Sequence, residues 1–249
     1  MNKNQTVEKL RQMRIYAMAE MYQNHLKNNL YNEITPDEYI TLLTEHEWEQ
    51  RQNRRIERLI AQAGFRQKAS LADVDYVSMR NLDKNMFNRL STLDFIAKRE
   101  NLIITGPSGA GKSYLTQALG HQACLTGLKV QYYITERLLD QLKLAKLDGT
   151  YHKELKKINK TKVLILDDFG LQSFNNHARE ALMDIVEDRY NVSSIFICSQ
   201  IPVSAWHDLI GEGTIADAIL DRIVHSSHRI NLKGESLRKN FLKQQNENL

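Results

Sequence analysis

Apolar and polar residues follow two different periods along the chain. In the first 64 residues the apolar positions recur at helical spacing, as in VEKLRQMRIYAMAEM (7–21). Thr35, Pro36 and Glu38 then form a helix start, with a capping threonine, a proline at the first helical position and a capping-box glutamate. No helix breaker follows before Gly64, so the pattern predicts one long helix of about eight turns.

From about residue 82 the pattern changes to short runs of β-branched and aromatic residues separated by helical segments. These runs are LIIT (102–105), VQYYI (130–134), VLIL (163–166), IFICS (195–199) and HRINL (228–232). Such alternation predicts an α/β fold with a mostly parallel sheet covered by helices on both faces. We therefore predict a helical N-terminal domain over residues 1–68, a linker over 69–82 and an α/β domain over 83–249.

Composition narrows the class of protein. The 249 residues are 42% hydrophobic and carry a net charge of +4, which is ordinary for a globular protein. The longest apolar runs are too short to cross a bilayer, and the N-terminus lacks the apolar segment of a secretory signal. We expect a cytoplasmic protein with no membrane partner.

The two cysteines, Cys124 and Cys198, lie in apolar stretches, which favours buried free thiols over a disulfide framework or a zinc site.

The clearest motif is GPSGAGKS, which fits G-x-x-x-x-G-K-[ST] between a predicted strand and a predicted helix. Glycines let the backbone curl so that its amides, with the helix N-terminus, form a cradle for phosphates. The predicted lysine contact is with the β- and γ-phosphates of ATP, and the serine hydroxyl is the predicted ligand of Mg²⁺. The nucleotide-binding residues of this loop are Gly106, Pro107, Ser108, Gly109, Ala110, Gly111, Lys112 and Ser113.

VLILDDFG (163–170) ends a second strand with two adjacent carboxylates, which repel each other unless a cation lies near. A P-loop enzyme needs a carboxylate at the tip of a neighbouring strand to hold the metal ion, and Asp167 is placed for that role. Asp168 is then the candidate that orients or deprotonates the attacking water. The alternative is that Asp168 only caps the following turn.

Further polar residues follow the later strands. Ser199 and Gln200 end a strand and are candidates to touch the γ-phosphate or the attacking water, although a polar loop without function remains an alternative. Arg222 precedes the last strand and Arg238 follows it. An arginine near a nucleotide, from the same or a neighbouring subunit, can stabilise the charge that develops on the transferred phosphoryl group. Taken singly, an arginine in either position is more often a surface residue.

A basic stripe is predicted on the long N-terminal helix. Arg51, Arg54, Arg55 and Arg58 follow the i, i+3, i+4, i+7 pattern, so they share one face of a helix. Such a stripe suits contacts with DNA phosphates, and the alternative is a solvated helix face. The lysine-rich segment Lys143–Lys162 could also line a DNA channel or simply be solvated. Neither region carries a base-reading motif, so we expect weak sequence specificity.

Taken in order, GPSGAGKS, the LDDFG ending, the CSQ strand end, LDRIVHSSH and GES-x-R resemble the IstB family. These proteins are ATP-binding helpers of insertion-sequence transposases, in the DnaC/DnaA-like branch of AAA+ ATPases. EWEQRQNRRIERLIAQAGF is similar to the helical N-terminal region of that family, and LDKNMFNRL to its entry into the ATPase core. The resemblance covers nearly the whole chain.

The resemblance implies an AAA+ core with strand order 5-1-4-3-2 and a nucleotide bound between subunits. It implies that Asp168 stands where many AAA+ proteins carry a glutamate, and that Ser199 or Gln200 is the sensor 1 residue. Arg222 would be the trans-acting arginine finger and Arg238 the sensor 2 residue. About 17 residues follow the last strand, too few for the usual helical lid, which leaves open how Arg238 would reach a nucleotide.

The resemblance also implies partners and an activity: slow ATP hydrolysis, assembly as a ring or helix on duplex DNA, selection of a target site, and stimulation of a cognate transposase. Two alternative functions are also considered for this sequence. A DnaC-like replicative helicase loader would need a helicase-binding surface instead of the arginine stripe. A small-molecule kinase would need a lid and an acceptor pocket, and the sequence contains no recognisable signal for either.

Overall fold

The computed structural model describes residues 3–28, 34–76 and 81–234, and the chain divides into two compact units, Met1–Arg58 and Leu59–Leu249. The helices are α1 (Lys3–Gln12), α2 (Tyr16–Asn28), α3 (Pro36–Ala63), α4 (Lys84–Ser91), α5 (Asp94–Ala97), α6 (Lys112–Leu125), α7 (Thr135–Leu147), α8 (Tyr151–Asn159), α9 (Asn176–Arg189), α10 (Trp206–Ile210) and α11 (Gly213–Val224). The strands are β1 (Asn101–Thr105), β2 (Val130–Ile134), β3 (Val163–Asp167), β4 (Ser194–Ser199) and β5 (Ser227–Asn231).

The first unit contains α1, α2 and most of α3. Arg14, with φ +60°, separates α1 from α2, where the sequence pattern had indicated continuous helix. The predicted start of α3 is confirmed as a capping box. The Thr35 amide and hydroxyl both donate to the Glu38 carboxylate, and the Glu38 amide donates back to the Thr35 hydroxyl. The helix ends at Ala63, before Gly64 with φ +74°, as predicted.

Glu47 is the main polar anchor of the first unit. It is only 6% exposed, and one carboxylate oxygen accepts the backbone amides of Ala17 and Met18 at 2.8 and 3.1 Å. These amides open α2, so the carboxylate occupies the position of an N-terminal cap that comes from another helix. Its other oxygen accepts Arg51 Nε at 2.7 Å.

The second unit is a five-stranded parallel sheet in the order β2-β3-β4-β1-β5, which confirms the predicted order 5-1-4-3-2. Neighbouring residues of each strand point to opposite faces and enter two separate apolar cores. Ile104 and Ile165 lie in the core under α6, whereas Ile103 and Leu164 lie in the core under α7, α9 and α11. The sheet is therefore covered on both faces, as its continuous apolar strands predict.

The segment between α3 and β1 belongs to the second unit. Ala69 and Val74 are buried, and Phe65 packs against the core that also contains α6. The sequence-based division ends the helical domain at residue 68, whereas the contacts divide the chain after Arg58. The two divisions differ because sequence periodicity follows the helix, while compactness follows where the side chains pack.

Among the described residues, no helix combines the length and apolar character needed to cross a bilayer. Residues 235–249 lie outside the description. The prediction about the C-terminal lid and the predicted sensor 2 residue Arg238 both fall on that segment.

Candidate nucleotide site

The glycine-rich loop connects β1 to α6 at the carboxyl edge of the sheet. Gly106, Gly109 and Gly111 have φ values of +149°, +77° and +93°, a region that other residues rarely adopt. At Gly106 an added Cβ would also lie 2.6 Å from the carbonyl oxygen of Leu232, so this position accepts only glycine. The loop thus adopts the curled backbone that the motif predicts, directly before the N-terminus of α6.

Lys112, the first residue of α6, is 7% exposed. Its ammonium donates to the carbonyls of Gly106 and Pro107, both at 2.8 Å, which holds it across the mouth of the loop. Burial lowers the pKa of Lys112, while the charges of Asp167 and Asp168 act in the opposite direction. A phosphate at the loop would supply the negative charge that this buried ammonium otherwise lacks at close range.

Ser113 and Asp167 meet at the same edge of the sheet. The Ser113 hydroxyl donates to Asp167 Oδ1 at 2.9 Å, and Tyr132 OH donates to Asp167 Oδ2 at 2.6 Å. A hydroxyl and a carboxylate are the hard oxygen ligands that Mg²⁺ prefers, and they stand beside the phosphate-binding loop. The donor set therefore fits the predicted metal ion, for which Ser113 and Asp167 stay the predicted ligands.

Asp167 is held from several directions. It is 2% exposed, its backbone carbonyl accepts the Thr135 hydroxyl at 2.8 Å, and its Oδ1 accepts the amide of Asp168 at 2.9 Å. Tyr132 and Thr135 were not among the predicted site residues. The only sequence signal for them is their position near the end of β2, which pairs with β3 in the sheet. Burial and the hydrogen bond to Asp167 both raise the pKa of Tyr132, which keeps it a hydrogen-bond donor.

Asp168 is half-buried and has φ +55°, in the left-handed region. The following residue, Phe169, is fully buried, and its amide donates to the Cys198 carbonyl at 2.8 Å. This anchor fixes the turn after β3, so that Asp168 leaves the strand beside Asp167 and close enough to influence Lys112. The geometry brings together Lys112, Ser113, Asp167 and Asp168, four of the predicted site residues.

Ser199 and Gln200, at the end of β4, differ sharply in exposure. Ser199 is fully buried, and its hydroxyl donates to the Phe169 carbonyl at 2.7 Å and accepts the Ile201 amide at 3.0 Å. Through these two hydrogen bonds the Ser199 hydroxyl holds the ends of β3 and β4 together, so the hydroxyl is already in use. Gln200 is exposed. Of the two sensor 1 candidates, Gln200 is the one whose side chain is available to a ligand.

Arg222 lies at the end of the sheet where the strands begin, whereas the glycine-rich loop lies at the end where the strands finish. Its backbone carbonyl accepts the side chain of Asn101, the first residue of β1, whereas the loop follows Thr105, the last residue of that strand. The Arg222 guanidinium forms an ion pair with Glu187 at 2.7 Å and lies over the ring of Tyr190. The structure therefore does not bring Arg222 to the loop of its own chain.

The predicted basic stripe lies on α3, but its four members differ. Arg51 donates to Glu47 and to the Arg14 carbonyl, and Arg54 donates to the Gln50 carbonyl. Arg55 and Arg58 are exposed, and neither forms a hydrogen bond or ion pair within the described ranges. Arg51 thus has a structural role in addition to any DNA contact, whereas Arg55 and Arg58 project charge into solvent.

The second lysine-rich segment forms the end of α7 and all of α8. Its lysines line an open groove with Lys129 and His152, and one of them, Lys157, lies 3.6 Å from the Glu154 carboxylate. The groove therefore carries a net positive charge.

Known proteins are similar to this chain over almost its entire length. The family model described as IstB-like ATP binding protein matches residues 8–246. The insertion sequence ATP-binding protein y4pL of Sinorhizobium fredii is 45% identical over 94% of this chain and 96% of its own length. The ATP-binding protein of insertion sequence IS1162 from Pseudomonas fluorescens is 38% identical over 80% of this chain and 87% of its own.

Solved structures resemble a large part of the chain. The crystal structure of DnaI covers 72% of this chain and 92% of its own, with a TM-score of 0.56 and 23% identity. The AMPPCP-bound DnaA from Aquifex aeolicus covers 75% of this chain and 57% of its own, with a TM-score of 0.59 and 16% identity. These similarities bear on the fold alone, and together with the strand order they confirm the predicted AAA+ core.

Proposed function

The chain belongs to the family of IstB-like ATP binding proteins, and from this membership we propose that it is the ATP-dependent helper of an insertion-sequence transposase. In this proposal it binds duplex DNA with little sequence preference, assembles on it as a homo-oligomer in the cytoplasm, and recruits or stimulates a cognate transposase. Slow ATP hydrolysis acts as the switch between the assembled and released states.

One observation carries the ATPase part of the proposal: Lys112, Ser113, Asp167 and Asp168 share the carboxyl edge of the sheet. Lys112 and the loop amides bind the β- and γ-phosphates. Ser113 and Asp167 hold Mg²⁺, which when bound neutralises phosphate charge. Asp168 accepts the proton of the attacking water, and Gln200 orients that water or the γ-phosphate. Aspartate is one methylene shorter than glutamate, so the Asp168 carboxylate stands further from the attacking water than a glutamate carboxylate would. This greater distance fits a slow ATPase.

The position of Arg222 supports the oligomeric part of the proposal. The nucleotide loop and Arg222 lie at opposite edges of one sheet. A head-to-tail arrangement of subunits would bring the Arg222 edge of one subunit to the nucleotide edge of the next. Hydrolysis would then require a neighbour, because the arginine that stabilises the developing charge comes from another chain. Arg238 is the proposed sensor 2 residue, which would act on the bound nucleotide.

The DNA-binding part rests on Arg51, Arg54, Arg55 and Arg58 along one face of α3. Contacts from this stripe are made to phosphates, which explains why little base specificity is expected. The transposase partnership rests on the relatives, whose names describe ATP-binding proteins of insertion sequences.

Sizing chromatography with light scattering tests the proposal. The protein is measured alone, with duplex DNA, with a non-hydrolysable ATP analogue, and with both. We expect a large particle only when both ligands are present, and no such particle for Lys112→Ala, which cannot hold the nucleotide. A protein that remains monomeric with both ligands would contradict the proposal. Capture of a purified replicative helicase without binding to duplex DNA would favour a DnaC-like loader instead.

A further inference from the structure

The backbone that follows α3 is hydrogen-bonded to the nucleotide helix α6. The amides of Arg66 and Gln67 both donate to Gln117 Oε1, at 2.8 and 3.3 Å. Gln117 is 1% exposed, and its Nε2 donates to the backbone carbonyl of Ser113 at 3.0 Å. The buried side-chain amide of Gln117 therefore joins the residues that follow α3 to Ser113, whose hydroxyl donates to Asp167.

A second connection runs through Tyr132. Its hydroxyl donates to Asp167 Oδ2 at 2.6 Å, and the Arg66 guanidinium lies near enough to act electrostatically on the same tyrosine. The tyrosine is 6% exposed, so water does not easily replace Asp167 as its hydrogen-bond partner. Arg66 is thus hydrogen-bonded through its backbone to Gln117, which reaches Ser113, and its side chain lies near Tyr132, which reaches Asp167.

Close packing makes this region stiff. A Cβ on Gly120 of α6 would lie 3.0 Å from the Phe65 ring and 2.8 Å from Ile165 Cδ1, so the absence of a side chain there lets the ring of Phe65 approach the helix closely. The residues after α3 cannot shift far without moving α6 or breaking the hydrogen bonds to Gln117. Movement of α3 is expected to reach the metal ligands through these contacts.

We propose that Tyr132 and Gln117 are positioning residues that couple the end of α3 to the Ser113–Asp167 pair. DNA bound along α3 changes the alignment of the two ligands through residues 64–67, and so changes the affinity for Mg²⁺ and nucleotide. This coupling rests on the proposed function, because it assumes that α3 is the DNA-binding helix. It is reciprocal: Mg²⁺-nucleotide binding changes the affinity for DNA by the same factor.

Tyr132→Phe is the most direct test, since it removes one hydroxyl and keeps the ring. Binding of a fluorescent ATP analogue is titrated with Mg²⁺ in the absence of DNA. We expect the half-saturating Mg²⁺ concentration to rise about tenfold, which is the size of effect seen when a residue that orients a metal ligand is removed. Tyr133→Phe is the matched control, because the neighbouring residue points to the opposite face of the same strand. An unchanged Mg²⁺ requirement in Tyr132→Phe would overturn its positioning role.

The coupling is tested by repeating the titration with duplex DNA. In the wild type, DNA changes the affinity for Mg²⁺-nucleotide, and we expect Tyr132→Phe and Gln117→Met to reduce that change towards none, while Gln122→Met on the same helix leaves it intact. Arg66→Ala offers a variant at an exposed position, which avoids core disruption and should also weaken the DNA effect.

The outcomes separate the coupling from the function on which it rests. A DNA effect of full size in Tyr132→Phe, Gln117→Met and Arg66→Ala would overturn the coupling, even if turnover fell in all of them. A wild-type protein that neither binds DNA nor responds to it would overturn the proposed function and the coupling together. In that case the Mg²⁺ titration without DNA still decides whether Tyr132 positions Asp167.

Discussion

The side-chain amide of Asn101 donates to the backbone carbonyl of Arg222 at 3.3 Å, and this bond holds Arg222 at the amino edge of the sheet. Asn101 begins β1, and the nucleotide loop begins where that strand ends, roughly 13 Å further along at the usual rise per residue. Asn101 also accepts the amide of Ile195 from the adjacent strand, which fixes the arrangement. Arg222 can therefore serve as an arginine finger only for a neighbouring subunit.

Arg222→Ala should reduce DNA-stimulated ATP hydrolysis about 10³-fold or more, the usual contribution of an arginine finger, without weakening nucleotide binding. Mixing tests the trans action. Arg222→Ala retains its own Asp168, and Asp168→Asn retains its own Arg222 and still binds nucleotide, so a mixture of the two impaired variants should regain turnover. Arg137→Ala, an exposed arginine of α7, should behave as the wild type. No recovery in the mixture, with both variants assembling normally, would argue against a trans-acting Arg222.

Asp168→Asn should slow hydrolysis in the DNA-bound assembly by about 100-fold or more, because an amide cannot accept the proton of the attacking water. Asparagine tolerates the left-handed backbone of this position as well as aspartate does, so the backbone should not change. Asp167→Asn serves as the contrast and should instead weaken Mg²⁺-dependent nucleotide binding. Single-turnover kinetics measure both effects, and a wild-type rate for Asp168→Asn would show that this residue is not the base.

Arg55→Glu combined with Arg58→Glu should abolish DNA binding without loss of stability, since both side chains project into solvent. Milder Ala substitutions should reduce the slope of log affinity against log salt by about 0.9 for every DNA phosphate that the helix no longer binds. Arg89→Glu with Lys98→Glu makes the same change in charge at exposed positions of the α/β unit and should leave DNA affinity nearly unchanged. Equal reductions in DNA affinity in the two double variants would mean that net charge, and not the stripe, drives binding.

Glu47 should make the stability of the N-terminal helices depend on pH. Burial raises the pKa of Glu47, but hydrogen bonds from Arg51 and from the amides of Met18 and Ala17 outweigh burial and lower it below its ordinary value of 4.5. The stabilisation is therefore complete above pH 4.5 and is lost as pH falls through the lower pKa of the folded state.

Glu47→Gln should lower the free energy of unfolding at neutral pH by about 1–3 kcal/mol and flatten its decline in acid. Denaturant unfolding followed by circular dichroism at several pH values measures both effects. Glu49→Gln, at an exposed position of the same helix, should match the wild type. If Glu47→Gln kept the acid-dependent decline of the wild type, another carboxylate would be responsible for it.

The two cysteines should be unreactive in the native protein. Both are buried, and burial raises the pKa of Cys124 to about 11 and that of Cys198 well above its ordinary value. Because the thiolate is the reactive form, iodoacetamide should modify neither residue until the protein unfolds. Mass spectrometry after a timed reaction, with and without denaturant, measures this, and rapid labelling of the native protein would contradict the packing described for these residues.

Several features were predictable because their causes are local. The five strands and the two ends of α3 agree with the structure. The sheet order also agrees, but it came from the family resemblance and not from a local pattern. The pairing of Ser113 with Asp167 follows from two motifs at the carboxyl ends of parallel strands, which meet at one edge of the sheet. The break at Arg14 has no such local signal, because the apolar spacing continues across it.

Most other contacts between residues distant in the sequence were not predictable. The sequence alone determined where the helices and strands form, that a curled glycine loop precedes α6 and that a carboxylate pair ends β3, since strand period, capping and glycine conformations act over a few residues. Only the tertiary structure decided that Glu47 caps another helix, that Gln117 and Tyr132 lie between residues 64–67 and the proposed metal ligands, and that Arg222 faces away from its own nucleotide loop. These relationships depend on which surfaces pack together, and no local pattern of residues specifies them.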